Sequence, residues 1–197
     1  MPSSNKCPMA RRRNGAIFSA FAVLVVALLC AGVTAGVHHG LAGAFAASDL
    51  ALDEAKGGAQ RKLLFPDATS FESQSAPAVE GLNSVYKADT GAWVFDVTSA
   101  QGYHGDVELM VGINADGTVA GIQVVAEDET DGIGTNAFTE EYFGGFAGAP
   151  AAGELTVDEA GAGQTHVDAV SGATFTSRAV VDCLNIAFAA YAQMGGN

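Results

Sequence analysis

The sequence predicts an α+β fold, an antiparallel sheet flanked by helices, preceded by one N-terminal transmembrane helix. Three observations carry this. Residues 14–48 contain no Asp, Glu, Lys or Arg. Between Ser84 and Asp128, apolar runs alternate with Gly-bearing turns, as in a meander. The C-terminal "SRAVVDCLNIAFAAYAQM" repeats apolar residues at helical spacing. At 197 residues the chain has room for one domain and an additional segment.

The additional segment comes first. Its densest part, "AIFSAFAVLVVALLCAGVTAGV" at residues 16–37, is long enough to cross a hydrocarbon core, which needs about 20 residues at helical rise. Lys6, Arg11, Arg12 and Arg13 precede it, so the N-terminus is expected in the cytoplasm and the remainder outside. His38 and His39 follow the span and mark the interface; two adjacent His are a weak metal signal. Ala44-Phe45-Ala46 offers a cleavage site, but the apolar core exceeds a typical signal sequence, which favours a retained anchor. The expected organisation is therefore a cytoplasmic tail (1–15), an anchor in the cell membrane (16–37), a linker (38–47) and an extracytoplasmic domain (48–197).

The exported part holds all 22 acidic residues against five of the nine Lys/Arg, a formal −17. Such a surface repels polyanions, which argues against nucleic-acid binding. Of Cys7, Cys30 and Cys183 only the last lies in the exported domain, so no disulfide forms within it. No repeated Cys/His spacing points to zinc or iron–sulfur ligation.

Along the domain, "SDLALDEAKGGAQRKLLFP" opens on a cap-type Ser and ends at a Pro, with Leu52, Ala55, Ala59, Leu63 and Leu64 at helical spacing. The Gly57-Gly58 pair weakens that helix. Residues 67–83 look like a loop or weak edge strand. Three or four antiparallel strands then follow, with Asp116-Gly117 as a hairpin turn. Trp93 sits in an apolar strand and is expected in the core. Residues 127–150 are turn-rich, with a short helix or turn in "TEEYFGGFAG". "GQTHVDAVSG" fits a last short strand, and the closing helix places Val180, Leu184, Ala187, Phe188 and Tyr191 on one face.

The strand-to-helix junction "DAVSGATFTS" concentrates Ser171, Thr174, Thr176 and Ser177 around Gly172. Gly172 lets the backbone approach a ligand, and a helix N-terminus favours an anion such as phosphate. The phosphate-loop and G-x-S-x-G patterns are both missing, which excludes nucleotidase and serine-hydrolase readings. On residue types alone, capping of the last helix is the simpler account.

The run Asp168-x-x-Ser171-Gly172-Ala173-Thr174 resembles the flavinylation motif of the FMN-binding domain family. That family includes the G subunit of the Rnf complex and the C subunit of the Na⁺-translocating NADH:quinone oxidoreductase. A second stretch, residues 102–134, is similar to the family's G-Y-x-G strand, its hairpin and its E-T-P-G-L-G loop. Here the loop reads Glu129-Thr130-Asp131-Gly132-Ile133-Gly134, with Asp131 for the usual Pro and Ile133 for the usual Leu. The length and single span look more like the Rnf member of the pair.

The resemblance implies an electron-transfer subunit that carries FMN bound covalently to Thr174 by a phosphoester, installed by a flavin transferase that consumes FAD. Asp168 would aid that transfer, and Ser171, Gly172 and Ala173 would shape the phosphate turn. Glu129, Thr130, Gly132 and Gly134 would border the ring. Arg178 would meet the phosphate, although Asp182 at i+4 is an alternative partner. Tyr103 and His104 are either flavin contacts or a satisfied strand end. Asp131, among Glu127, Asp128 and Glu129, would hold the flavin's potential down. Implied partners are the other membrane and peripheral Rnf subunits. Competing readings are a C-type subunit of the quinone-reducing pump, a free-standing exported flavoprotein, and a nonredox domain that holds a phosphorylated ligand reversibly.

Overall fold

The computed structural model describes residues 57–196. The expected tail, anchor, linker and first part of the predicted helix, with His38, His39, Leu52 and Ala55, lie outside the described residues. Among the described residues, no helix is long and apolar enough to cross a membrane.

Five strands form one antiparallel sheet in sequence order: β1 (Phe71–Gln74), β2 (Leu82–Ala88), β3 (Trp93–Ser99), β4 (Val107–Ile113) and β5 (Val119–Ala126). The meander thus has one strand more than the three or four expected. The extra strand, β1, is the weak edge segment, too short and polar to announce itself by alternation. Between β4 and β5 the chain turns where Gly117 takes φ +82 and returns its N–H to the Asn114 carbonyl at 3.0 Å. A side chain disfavours that backbone, which accounts for the Asp-Gly signal.

Side chains alternate across a strand, so a sheet covered on both faces needs apolar residues at consecutive positions. One face presents Phe95, Val97, Leu109, Val111 and Ile113 to the helix α3 (Thr174–Gln193). Val180, Leu184, Ala187, Phe188 and Tyr191 of α3 are all buried there, as the periodicity predicts. Each fully buried Val, Leu or Phe contributes about 1.5–3 kcal/mol through loss of water contact. Trp93 is half-buried against this core, stacked on Phe95 with ring centroids 6.4 Å apart.

The opposite face buries Tyr86, Val94 and Met110 beneath the short helix α1 (Ala59–Leu64) and Phe65. Here the structure corrects the sequence reading. Ala59 and Leu63 were expected on the inner face, yet both are exposed and Arg61 is fully buried. The Arg61 guanidinium lies over the Tyr86 ring at 3.9 Å and near Phe71 at 5.8 Å, which turns the helix by its charged residue. Gly57, just before this helix, has φ +85, a backbone that disfavours a side chain, and a Cβ there would also press on the end of Met110.

After β5 come a 3₁₀ turn (Gly134–Phe138), the short helix α2 (Glu140–Gly144) and a parallel pair, β6 (Glu154–Thr156) and β7 (Gln164–His166). Strand β7 is the short strand expected there; β6 was not anticipated. Two contacts fix the first half of α3 over one end of the sheet. Ser99 donates to Asp182 at 2.6 Å, and Cys183 donates to the Val107 carbonyl at 3.6 Å. Burial pushes the Cys183 thiol well above its ordinary range, so it serves as core.

Candidate functional site

Because Ser99 pairs with Val107, the β3–β4 connection containing Gly102-Tyr103-His104-Gly105 lies at that same end of the sheet. The loop leaving β5 and the turn entering α3 meet it there. Together they line a cavity of about 290 Å³ bordered by Tyr103, Glu129, Thr130, Ile133, Gly134 and residues 172–176. The two separated stretches that carry the sequence resemblance are therefore one site in space.

The turn into α3 has a simple construction. The Ala173 N–H donates to the Val170 carbonyl at 2.9 Å, and Gly172 has φ +83. A positive φ at the third position is the requirement of a type II turn, which selects Gly. Ala173 is the N-cap and no side chain caps the helix; its first turn holds no acidic residue. Two of the four hydroxyls that sequence reasoning offered as caps are otherwise engaged. Ser177 is buried and accepts from the Val170 N–H at 3.0 Å, and Thr176 is buried and donates to Glu129. Ser171 and Thr174 are exposed. Thr174 thus stands as the first residue of a 20-residue helix, at an N-terminus that no side chain caps.

Glu129 joins the three segments. It is 8% exposed. Its Oε1 accepts from the N–H groups of Tyr103 at 2.7 Å and His104 at 3.2 Å, and its Oε2 accepts from Thr176 Oγ1 at 2.6 Å. Gly102 and Gly134 flank this carboxylate so closely that a Cβ on either would overlap it. Asp131 is exposed in the adjoining turn, where the Ile133 N–H returns to the Thr130 carbonyl at 3.1 Å and Gly132 has φ +72. The Gly132 N–H donates to Thr135 Oγ1 and Asn136 Nδ2 donates to the Gly132 carbonyl, so the loop keeps its shape without a Pro.

Three large apolar side chains among the cavity's walls are open to solvent. Tyr103 is 66% exposed, Ile133 56% and Phe175 53%. Tyr103 stacks on His104 and leans on Phe175, with centroids 5.3 and 5.7 Å apart. Sequence reasoning left Tyr103 undecided and missed Phe175. The signal was present: Phe175 is out of phase with the Val180–Leu184–Ala187 face of α3, so an aromatic there had no core to enter.

Of the ten residues proposed from sequence, Glu129, Thr130, Gly134, Gly172, Ala173 and Thr174 line this cavity. Ser171 and Gly132 belong to its two turns but do not line it. Asp168 and Arg178 lie elsewhere. Asp168 is exposed, 3.5 Å from His166 Nε2, at a separate cavity of about 960 Å³ beside Tyr142 and Phe188. The Arg178 guanidinium donates to Asp158, whose carboxyl that bond holds below its ordinary value, and lies 5.6 Å from the Phe175 ring. Among the described residues, no group of three or more His, Cys, Asp or Glu is arranged to hold a metal ion.

Residues 102–189, which run from the β3–β4 connection through most of α3, match the FMN-binding domain family. The G subunit of the Na⁺-translocating ferredoxin:NAD⁺ oxidoreductase complex of Acetobacterium woodii is 30% identical over 152 residues, covering 68% of this chain and 73% of that protein. Its counterpart in the proton-translocating complex of Clostridium ljungdahlii is 34% identical over 123 residues, covering 60% of this chain and 63% of that one. A crystal structure of the C subunit of the Na⁺-translocating NADH-quinone reductase from Parabacteroides distasonis is similar at 22% identity and a TM-score of 0.46, covering 57% and 61%. The chain belongs to the FMN-binding domain family, beside the G subunits of ion-translocating oxidoreductase complexes.

Proposed function

We propose that this chain is an electron-transfer subunit that carries FMN, joined through its phosphate to Thr174, within a membrane-bound ion-translocating ferredoxin:NAD⁺ oxidoreductase. One observation supports the attachment above others. Thr174 is exposed on the wall of the cavity, at a helix start that no side chain caps and whose own first turn holds no acidic residue.

The residues present fit such a group. The turn 170–173 and the first N–H groups of α3 suit a phosphate. Tyr103, Ile133 and Phe175 offer apolar surface to a planar ring, the kind of contact on which aromatic ligands stack. Attachment uses the Thr174 hydroxyl oxygen, which forms a new bond to phosphorus as the pyrophosphate link of a flavin dinucleotide breaks. The nucleoside monophosphate leaves with the electron pair and the hydroxyl proton passes to a base of the transferase. When bound, the flavin supplies the one- and two-electron chemistry, and the chain positions it and sets its potential. Asp168, exposed ahead of the turn, is available to the transferase, and Arg178 acts on the site through Phe175. Anchoring by residues 16–37, with the flavin outside the membrane, keeps the protein beside its partners. A tether also retains a cofactor that an exported protein has no pool to replace.

The test is the denatured intact mass of the full chain coexpressed with a flavin transferase, beside Thr174→Ala. A gain of one FMN less one water in the wild type alone is expected. No gain beside a transferase shown to be active on another substrate overturns the covalent assignment.

A further inference from the structure

Four acidic residues stand in or beside the loop that enters the cavity: Glu127, Asp128, Glu129 and Asp131. They do not act equally on it. Glu127, Asp128 and Asp131 are exposed, where water and salt screen a charge within about 10 Å. Glu129 is 8% exposed and lines the cavity. At the effective dielectric of a protein site, about 20 rather than 80, the same charge acts roughly four times as strongly. Its two oxygens reach the Tyr103 and His104 N–H groups and the Thr176 hydroxyl, which lie on two other segments.

We infer that Glu129 is the positioning residue of this site: its carboxylate clamps the Tyr103 segment and the start of α3 into one cavity, and its buried charge is the main local setting on the potential of the group held there. The inference rests on the flavin reading for its second half only. The clamp is a property of the chain itself. Two oxygen atoms of Glu129 hold a segment 26 residues before it and another 47 residues after it, and Tyr103 is among the walls so held. A fixed negative charge beside a ring that gains electrons opposes the gain, so it lowers the reduction potential.

Geometry and charge separate cleanly by substitution. In Glu129→Gln the amide oxygen still accepts from Tyr103 and His104, while the amide nitrogen donates to Thr176 Oγ1, whose lone pairs accept. The clamp survives and the charge is gone. Glu129→Ala removes both and leaves two N–H groups without their acceptor.

The experiment uses the full chain in detergent, first unloaded and then flavinylated. In the unloaded protein, amide hydrogen exchange at Tyr103 and His104 is expected to accelerate tenfold or more in Glu129→Ala and to stay within threefold of wild type in Glu129→Gln. In the loaded protein, Glu129→Gln is expected to raise the midpoint potential by more than Asp131→Asn does. Unchanged exchange in Glu129→Ala overturns the clamp. Should that variant not fold, exchange in Glu129→Gln decides: an acceleration as large as tenfold overturns a clamp that the amide ought to preserve. A potential shift in Glu129→Gln no larger than that of Asp131→Asn overturns the electrostatic half. A wild type that gains no flavin mass overturns the proposed function instead, and the exchange measurements still decide the clamp.

Discussion

Ser177 accepts the Val170 N–H at 3.0 Å, so the second turn of α3 holds the chain that leads into its own first residue. Ser177 is fully buried, and the Tyr142 hydroxyl faces it from α2. Replacing it by Ala leaves the Val170 N–H without its acceptor, a cost of about 1–3 kcal/mol. Ser177→Ala is expected to lower the urea midpoint and to slow flavin loading. Ser177→Thr keeps the hydroxyl and serves as the control.

The turn at Asp131 is of type II by its 130–133 hydrogen bond and the positive φ of Gly132. Its second position favours Pro, which has no N–H to donate and fixes φ near the value this position needs. Asp131→Pro is therefore expected to stabilise by about 0.4–1 kcal/mol, through a less free unfolded chain. That corresponds to a rise of roughly 1–4 °C in Tm, which calorimetry will read. It also removes an exposed charge, so the flavin potential should rise slightly. An unchanged or lower potential would sink the view that this acidic loop depresses it.

Gly134 and Gly132 predict opposite kinds of damage. A Cβ at Gly134 would overlap the Glu129 side chain and crowd Thr176 Oγ1, whereas one at Gly132 meets open space but a φ of +72. Gly134→Ala is expected to cost about 1–3 kcal/mol by overpacking and to disrupt flavin binding with it. Gly132→Ala costs about 1–2 kcal/mol through backbone strain, and the cavity survives. Denaturant midpoints measured beside flavin content distinguish the two.

On the sheet face away from α3, burial raises the Glu108 carboxyl above its ordinary 4.5, with further contributions from the charge of Asp96 and a hydrogen bond shared with it. The folded state therefore holds this proton more tightly than the unfolded chain. The contribution to stability is complete below pH 4.5 and is lost as the pH rises through the folded value. Glu108→Gln, which resembles the protonated form and can still accept from Asn83, is expected to be more stable than wild type at pH 7. The two should converge near pH 4. Urea titrations at both pH values test it, and a variant equally stable at pH 7 would contradict it.

Much of this protein was determined by local pattern alone. Apolar runs set between Gly-bearing turns marked β3 to β5, a 3.6-residue period chose the buried face of α3, and Gly117, Gly132 and Gly172 marked turns whose backbone disfavours a side chain. Those signals need only neighbours two to four residues apart, so they can be read along the chain. The tertiary structure alone decided what lies across it. Arg61 is buried because two aromatic rings on β1 and β2 receive it, and no period of α1 reveals them. Thr176 and Ser177, which read as helix caps, bond instead to Glu129 and Val170, and Arg178 meets Asp158 rather than Asp182. Phe175 and Tyr103 become walls of one cavity only where two sheet strands and a helix end together. A hydrogen bond spanning 47 residues depends on the path of the whole chain between its ends, and that path is fixed by packing rather than by any local sequence preference.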